Sequence, residues 1–339
     1  MHSPKQKSIL KIIIFILFVF IVIAIRIEFR LNTLYKNIES TTITDRNNET
    51  VLILPNERDN YSTFATSTPP LFIELLKKSE DKYFYYHLGI NPVGTIELLL
   101  SKIGIGRRKS ASTIDQQLTK ILFENETKRN VLNKTVESFS ALIIDIFKSK
   151  DNILLYYTNT AYFGNHIQGL KTASKAYFNT SPEKLTTEEI LQLLSTLSNP
   201  SYNNPANETN IGRSKTLAVK LGIDIVEEKF IGSNIVNENL KTFQSILKNF
   251  EIEHYISSLN TNNKEIKLVI DLKLNNDIKS IIKSTLPSLS DRDGHNMAVI
   301  VIKLPENEIL YLVGRPDQKS IDFGKHINML IEPRQVSYT

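Results

Sequence analysis

Apolar residues run without interruption from Ile12 to Ile25, and Ile9, Leu10 and Ile27 carry the stretch past Lys11 and Arg26. A helix needs about 17–25 residues to cross the hydrocarbon core, and basic side chains at its edges reach back to the interface. Residues 9–27 are therefore expected to span a membrane as an uncleaved anchor, after a short cytoplasmic tail over 1–8. A cleaved leader is the competing reading, but no small-x-small site follows Ala24. Lys5, Lys7 and Lys11 lead the span, so the N-terminus is expected inside the cytoplasmic membrane and the rest of the chain outside.

From 28 to 68 the text is mixed and polar, with one expected strand at Val51–Leu54, and this stretch reads as a juxtamembrane segment. Pro69-Pro70 ends it. Helical periodicity then recurs over Leu71–Lys78, Ser112–Phe123, Val131–Phe147, Ile153–Thr158, Ile167–Tyr177 and Thr187–Leu197. Asn199-Pro200-Ser201 and Asn203-Asn204-Pro205 carry turn chemistry, and more helix is expected from Arg213 to about Ser258. These segments make a helical domain over 69–258. After the polar stretch Thr261–Lys264 the texture changes to β-branched runs at Lys267–Ile270, Ala298–Lys303 and Ile309–Val313. With a helix over Asn275–Thr285 between the first two, residues 264–339 read as a small α/β segment. The fold class is therefore mainly α, behind one N-terminal transmembrane helix.

Composition narrows the classes. Hydrophobic residues at 41% and charged residues at 23% exclude wholesale disorder, collagen-like repeats and a multi-span transporter. The absence of cysteine excludes a disulfide framework and thiol catalysis. Six scattered histidines show no ligand-pair spacing, so zinc is not expected. A net charge of +5 suits nucleic acid, anionic lipid or a phosphorylated substrate, but the abundance of Asn, Ile and Lys reduces its weight.

Four blocks carry chemistry. Glu80-Asp81, followed by Phe84, His87 and Gly89, offers a base beside aromatics; taken alone it reads rather as a helix end capped by Gly89 with solvated carboxylates. Over Ser112–Phe123 one helical face holds Ile114, Leu118, Ile121 and Leu122, and another holds Thr113, Gln117 and Lys120. Small residues opening a helix that bears a lysine suit a phosphate, although many N-capped helices look the same. Arg129, Asn133 and Glu137 share a face at four-residue spacing, with Lys134 beside Glu137, which in isolation is surface ion pairing. The fourth block, Lys150–Gly164, is rich in aromatics that suit packing.

In this order behind an anchor, the blocks resemble the peptidoglycan glycosyltransferases of glycosyltransferase family 51. These occur alone or at the front of class A penicillin-binding proteins, here of the penicillin-binding protein 1C type. The family's first motif stands complete as Glu80, Asp81, Phe84, His87 and Gly89. Its second is matched by Ser112, Thr113, Ile114, Gln116, Gln117 and Lys120, with Ser110 in place of the leading glycine. The third keeps Lys134 and Glu137 but has Asn133 where the family has arginine. The fourth keeps Ile153, Leu154, Tyr157, Asn159, Tyr162, Phe163 and Gly164 but has Leu155 where the family has glutamate. Residues 264–339 resemble the start of the penicillin-binding half, with Tyr338 where its serine nucleophile would align, so no transpeptidase activity is expected.

The resemblance implies a lysozyme-like helical glycosyltransferase domain that joins lipid II to a growing glycan strand at the cytoplasmic membrane and releases undecaprenyl pyrophosphate. It implies Glu80 as general base and Glu137 as a second catalytic acid that orients cations or holds a divalent ion, magnesium or manganese. Substrate binding falls to Asp81, Phe84, His87, Ser112, Thr113, Gln116, Gln117, Lys120, Arg129, Lys134 and Asn159. Other cell-wall synthesis proteins are expected partners and nucleic acid is not. Two other classes remain open: an impaired lipid II-binding scaffold and a lysozyme-like lytic enzyme.

Overall fold

The computed structural model describes residues 4–94, 96, 100, 112–123, 131–247, 263–290, 299–306 and 308–313. It divides into two compact units, one of residues 1–40 with 55–241 and one of 41–54 with 242–339.

The first unit is helical: α1 (Pro4–Ile38), α2 (Pro70–Glu80), α3 (Ile114–Leu122), α4 (Val131–Phe147), α5 (Lys150–Thr160), α6 (Leu170–Phe178), α7 (Thr187–Thr196), α8 (Pro200–Asn203), α9 (Thr209–Leu221) and α10 (Ser233–Ile246). Pro70 opens α2, where a missing amide costs nothing, and Phe72, Leu75 and Leu76 bury its inner face. A capping box between Thr113 and Gln116 starts α3. Its last carbonyls, Ile121 O and Leu122 O, accept from the Arg58 guanidinium at 2.6 and 2.8 Å. Helix α7 is buried from Ile190 to Thr196, so its one polar core residue of length, Gln192, must be satisfied internally. Its amide donates to Asn210 and to Ile231 O and accepts from the Ile231 amide.

Helix α1 is longer than the apolar run that nucleates it. Residues Leu10–Ile38 are long and apolar enough to cross a membrane, and Ile12 to Phe18 are all more than half exposed. The C-terminal half is instead packed. Ala24, Leu31 and Ile38 are buried at seven-residue spacing, one stripe of the helix. Around that stripe Glu28 Oε1 accepts from Lys148 Nζ at 2.7 Å and from Asn32 at 2.9 Å, and Lys148 also donates to Asn32 Oδ1. Tyr35 stacks on Tyr156 with ring centroids 3.7 Å apart. These contacts carry the helix on to Ile38. The stretch 28–68 is thus divided: 28–38 continues α1, 41–54 belongs to the second unit, and 55–68 lies on the first.

The second unit contains β1 (Thr42–Thr44), β2 (Thr50–Ile53), β3 (Glu265–Lys267), α11 (Leu272–Ser290), β4 (Val299–Lys303) and β5 (Glu308–Val313). β1 pairs antiparallel with β2 and parallel with β3, while β4 and β5 form a separate antiparallel pair. Ile43, Val51 and Leu52 pack with Leu268, Ile270 and Leu272. The paired part of β3 therefore lies N-terminal to the expected Lys267–Ile270, although Leu268 N and Ile270 O still bond to Thr44 O and Arg46 N. The Asp45 carboxylate accepts from the amides of Asn47, Glu49 and Leu272, tying the hairpin to the start of α11. The stretch from Arg334 to Thr339, including Tyr338, lies outside the described residues.

Candidate functional site

Glu80 is the last residue of α2, and its half-buried carboxylate stands where the chain leaves the helix. Its Oε2 accepts from Gln117 Nε2 at 3.0 Å, and Gln117 Oε1 accepts from the Tyr157 hydroxyl at 2.8 Å. Burial, with the negative charge of Glu80 behind it, pushes the Tyr157 hydroxyl well above its ordinary value. The phenol stays protonated and fixes the amide of Gln117, which can then only donate toward Glu80. Three helices, α2, α3 and α5, thereby hold one carboxylate in one orientation.

Asp81 goes the other way. Its Oδ2 accepts from the Ile114 amide at 3.0 Å, and both oxygens lie 3.0–3.1 Å from His87 Nε2. Phe84 is buried edge-on against the His87 ring. Gly89 has φ of +72°, and a Cβ there would overlap the Ala141 carbonyl, so the invading backbone of α4 requires glycine. Thr113 donates to Gly89 O at 2.7 Å while capping α3. Gln116 is buried and donates to Ser138 at 2.9 Å.

The residues of the three motifs therefore separate into two layers. Asp81, Phe84, His87, Thr113 and Gln116 are buried and build the scaffold. Glu80, Ser112, Gln117, Lys134 and Glu137 are half-buried, and Lys120 is exposed without an ion pair or hydrogen bond among the described residues. Lys134 Nζ lies 2.6 Å from Glu137 Oε1 and 3.4 Å from Ser112 Oγ, bridging α4 to the approach of α3. Glu137 offers a single carboxylate already engaged by this ammonium. It suits orienting Lys134, and it does not gather with other acidic or imidazole groups as a metal site would among the described residues.

Asn159 is placed elsewhere. Its amide brackets Ala65, accepting from Ala65 N at 2.9 Å and donating to Ala65 O at 3.0 Å, and it also donates to the Tyr35 hydroxyl. It is buried and clamps the 61–68 loop to α5 and α1, so it has no part in a solvent-facing site. Arg129 and Ser110 lie outside the described residues; Asn133 falls on α4 one turn before Glu137.

Sequence reasoning missed two features. One is Tyr157, grouped with packing aromatics, whose hydroxyl completes the line to Glu80. The other is a buried charge cluster. Asp115 is fully buried, with Lys150 Nζ 3.7 Å from its Oδ1, and Lys150 is 2.8 Å from Asp145. Burial pushes the Asp115 carboxyl up to about 7; Lys150 opposes the shift, Asp145 adds to it and His87 opposes it. The available signal was an aspartate in register with Leu118 and Leu122 on the apolar side of α3.

A family profile described as transglycosylase matches residues 47–221. Penicillin-binding protein 1B from Haemophilus influenzae is 33% identical over 193 residues, covering 54% of this chain and 24% of that protein. The protein of the same name from Buchnera aphidicola is 28% identical over 269 residues, covering 73% and 35%. The one from Escherichia coli is 34% identical over 161 residues, covering 46% and 19%. The matched segments thus span about a fifth to a third of these relatives' lengths. With the family match covering more than half of the sequence, and both motif layers inside it, the chain belongs to the transglycosylase family.

Proposed function

We propose that the chain is a peptidoglycan glycosyltransferase that polymerises lipid II at the outer face of the bacterial cytoplasmic membrane. The observation that carries the reading is the Glu80–Gln117–Tyr157 line, which holds a single half-buried carboxylate against α3, the helix that also bears Lys120 three residues after Gln117, while the Lys134–Glu137 pair reaches Ser112 just before that helix. The 4-hydroxyl of an incoming lipid II attacks C1 of the sugar that ends the growing strand. Glu80 takes the hydroxyl proton as the new C–O bond forms, and the bond to undecaprenyl pyrophosphate breaks. Negative charge develops on the leaving pyrophosphate, and the ammonium groups of Lys120 and Lys134 neutralise it. Glu137 holds Lys134 in place through their 2.6 Å contact.

The bare N-terminal half of α1 supports a single-pass anchor, which keeps the site at the bilayer surface where the reactive end of lipid II lies. The test is incubation of the purified full chain, in detergent, with labelled lipid II. Glycan strands that lysozyme digests support the reading. Lipid II that is bound but never polymerised would point instead to the wall-synthesis scaffold that Asn133 and Leu155 raise. Cleavage of preformed glycan without synthesis would point to a lytic enzyme.

A further inference from the structure

Behind the face that carries Glu80 lies a second grouping of side chains that the proposed reaction does not use. One ligand atom from each of Asp81, His87 and Asp115 lies within 4.8 Å of the other two, and all three residues are buried. Both carboxylate oxygens of Asp115 lack a hydrogen-bond partner, although the residue is 0% exposed. A buried carboxylate whose oxygens make no hydrogen bond is destabilising unless a proton or a cation binds it. Lys150 does not complete the balance, because it sits closer to Asp145 than to Asp115. Asp115 and Asp145 share the one ammonium of Lys150, so with His87 neutral, the form in which imidazole binds a metal, Asp81, Asp115 and Asp145 carry an excess of two negative charges.

We propose that Asp81, His87 and Asp115 hold a divalent transition ion of the zinc class, as a structural site joining the α2–α3 connection to α3. One imidazole nitrogen with two carboxylates is a donor set suited to such an ion, and its charge cancels the excess with the imidazole neutral. His87 Nε2 and Asp81 Oδ2 are 3.0 Å apart and the Asp115 ligand atom lies within 4.8 Å of both, so small side-chain movements bring all three onto one ion with bonds of ~2.0–2.2 Å. The ion bonds the Nε2 lone pair of the imidazole in place of the Nε2–Asp81 hydrogen bond. Asp115 gains the partner it lacks.

The test uses the full chain without a histidine tag, purified in detergent and stripped with a chelator. Equilibrated with zinc chloride and passed through a desalting column, it should retain about one zinc per chain and unfold at a higher temperature than the stripped form. Magnesium, which keeps its waters, should do neither. Asp115→Asn should weaken zinc retention at least ~10-fold and remove the thermal gain. It should also melt no lower than the stripped wild type, because it removes a buried charge. A wild-type chain that retains no zinc overturns the proposal and assigns the balance to two bound protons. Equal retention by Asp115→Asn overturns it as well. Metal content is read independently of polymerisation, so this result and the function test fail separately.

Discussion

The division of labour between adjacent carboxylates is decided by one peptide unit. Glu80 ends a helix and faces the half-buried row; Asp81 leaves helical geometry and turns inward to His87 and the α3 amide. Removing the Tyr157 hydroxyl would free the Gln117 amide to rotate. Tyr157→Phe should therefore lower the polymerisation rate about tenfold, with little change in lipid II affinity, as measured by initial rates on labelled lipid II. Lys120→Ala, which removes an exposed cation one turn after Gln117, should cost about 10²–10³ in rate. An activity loss in Tyr157→Phe that merely follows a loss of helicity by circular dichroism would contradict the positioning role. Much of this site was legible, because Glu80, Gln117, Lys120, Lys134 and Glu137 stand at motif spacing. The split into a buried and an open layer was not. Spacing tells which residues share a motif, but Asp81, Gln116 and Asn159 owe their burial to partners on other helices, at Ile114, Ser138 and Ala65.

At the scale of elements, the helices were legible because their buried stripes recur with the helical period, and α4 ends at Phe147 as its pattern predicts. The strands of the second unit were harder. β1 and β2 have three and four residues, too few to display alternation, and the parallel partner of β1, β3, lies more than two hundred residues further on. Asp45 holds that arrangement together. Burial alone would raise its carboxyl, but the amides of Leu272, Glu49 and Asn47 hold it below the ordinary carboxylate value. A depressed folded value contributes stability above the unfolded value, about 3.9, and that contribution is lost as pH falls through the folded value. Thermal unfolding of Asp45→Asn should accordingly lose less stability than the wild type on acidification from pH 5 to pH 3, pH values at roughly which an ordinary aspartate is charged and largely neutral. The docking of α1 rests on Lys148, whose removal leaves Glu28 shielded with only Asn32 as a partner. Lys148→Ala should cost about 1–3 kcal/mol, read as a lower unfolding temperature in detergent.

For the whole molecule, the sequence carried the long apolar N-terminal helix and the helical domain, whereas the continuation of α1 into that domain was hidden because Glu28, Asn32 and Tyr35 look solvent-facing when read alone. Their partners, Lys148 and Tyr156, are supplied more than a hundred residues later. One continuous helix thus has an apolar half left bare and a half packed against α4 and α5, which supports a catalytic face held at a fixed height above the bilayer. The most direct test of that account is the rate of labelled lipid II polymerisation by the full chain and by Glu80→Gln, in the same membrane-mimetic preparation. The wild type should produce lysozyme-sensitive strands, and Glu80→Gln should reduce the rate by about 10²–10⁴ while retaining lipid II binding and the wild-type unfolding temperature. Polymerisation by Glu80→Gln at the wild-type rate would contradict the assignment of Glu80 as the base.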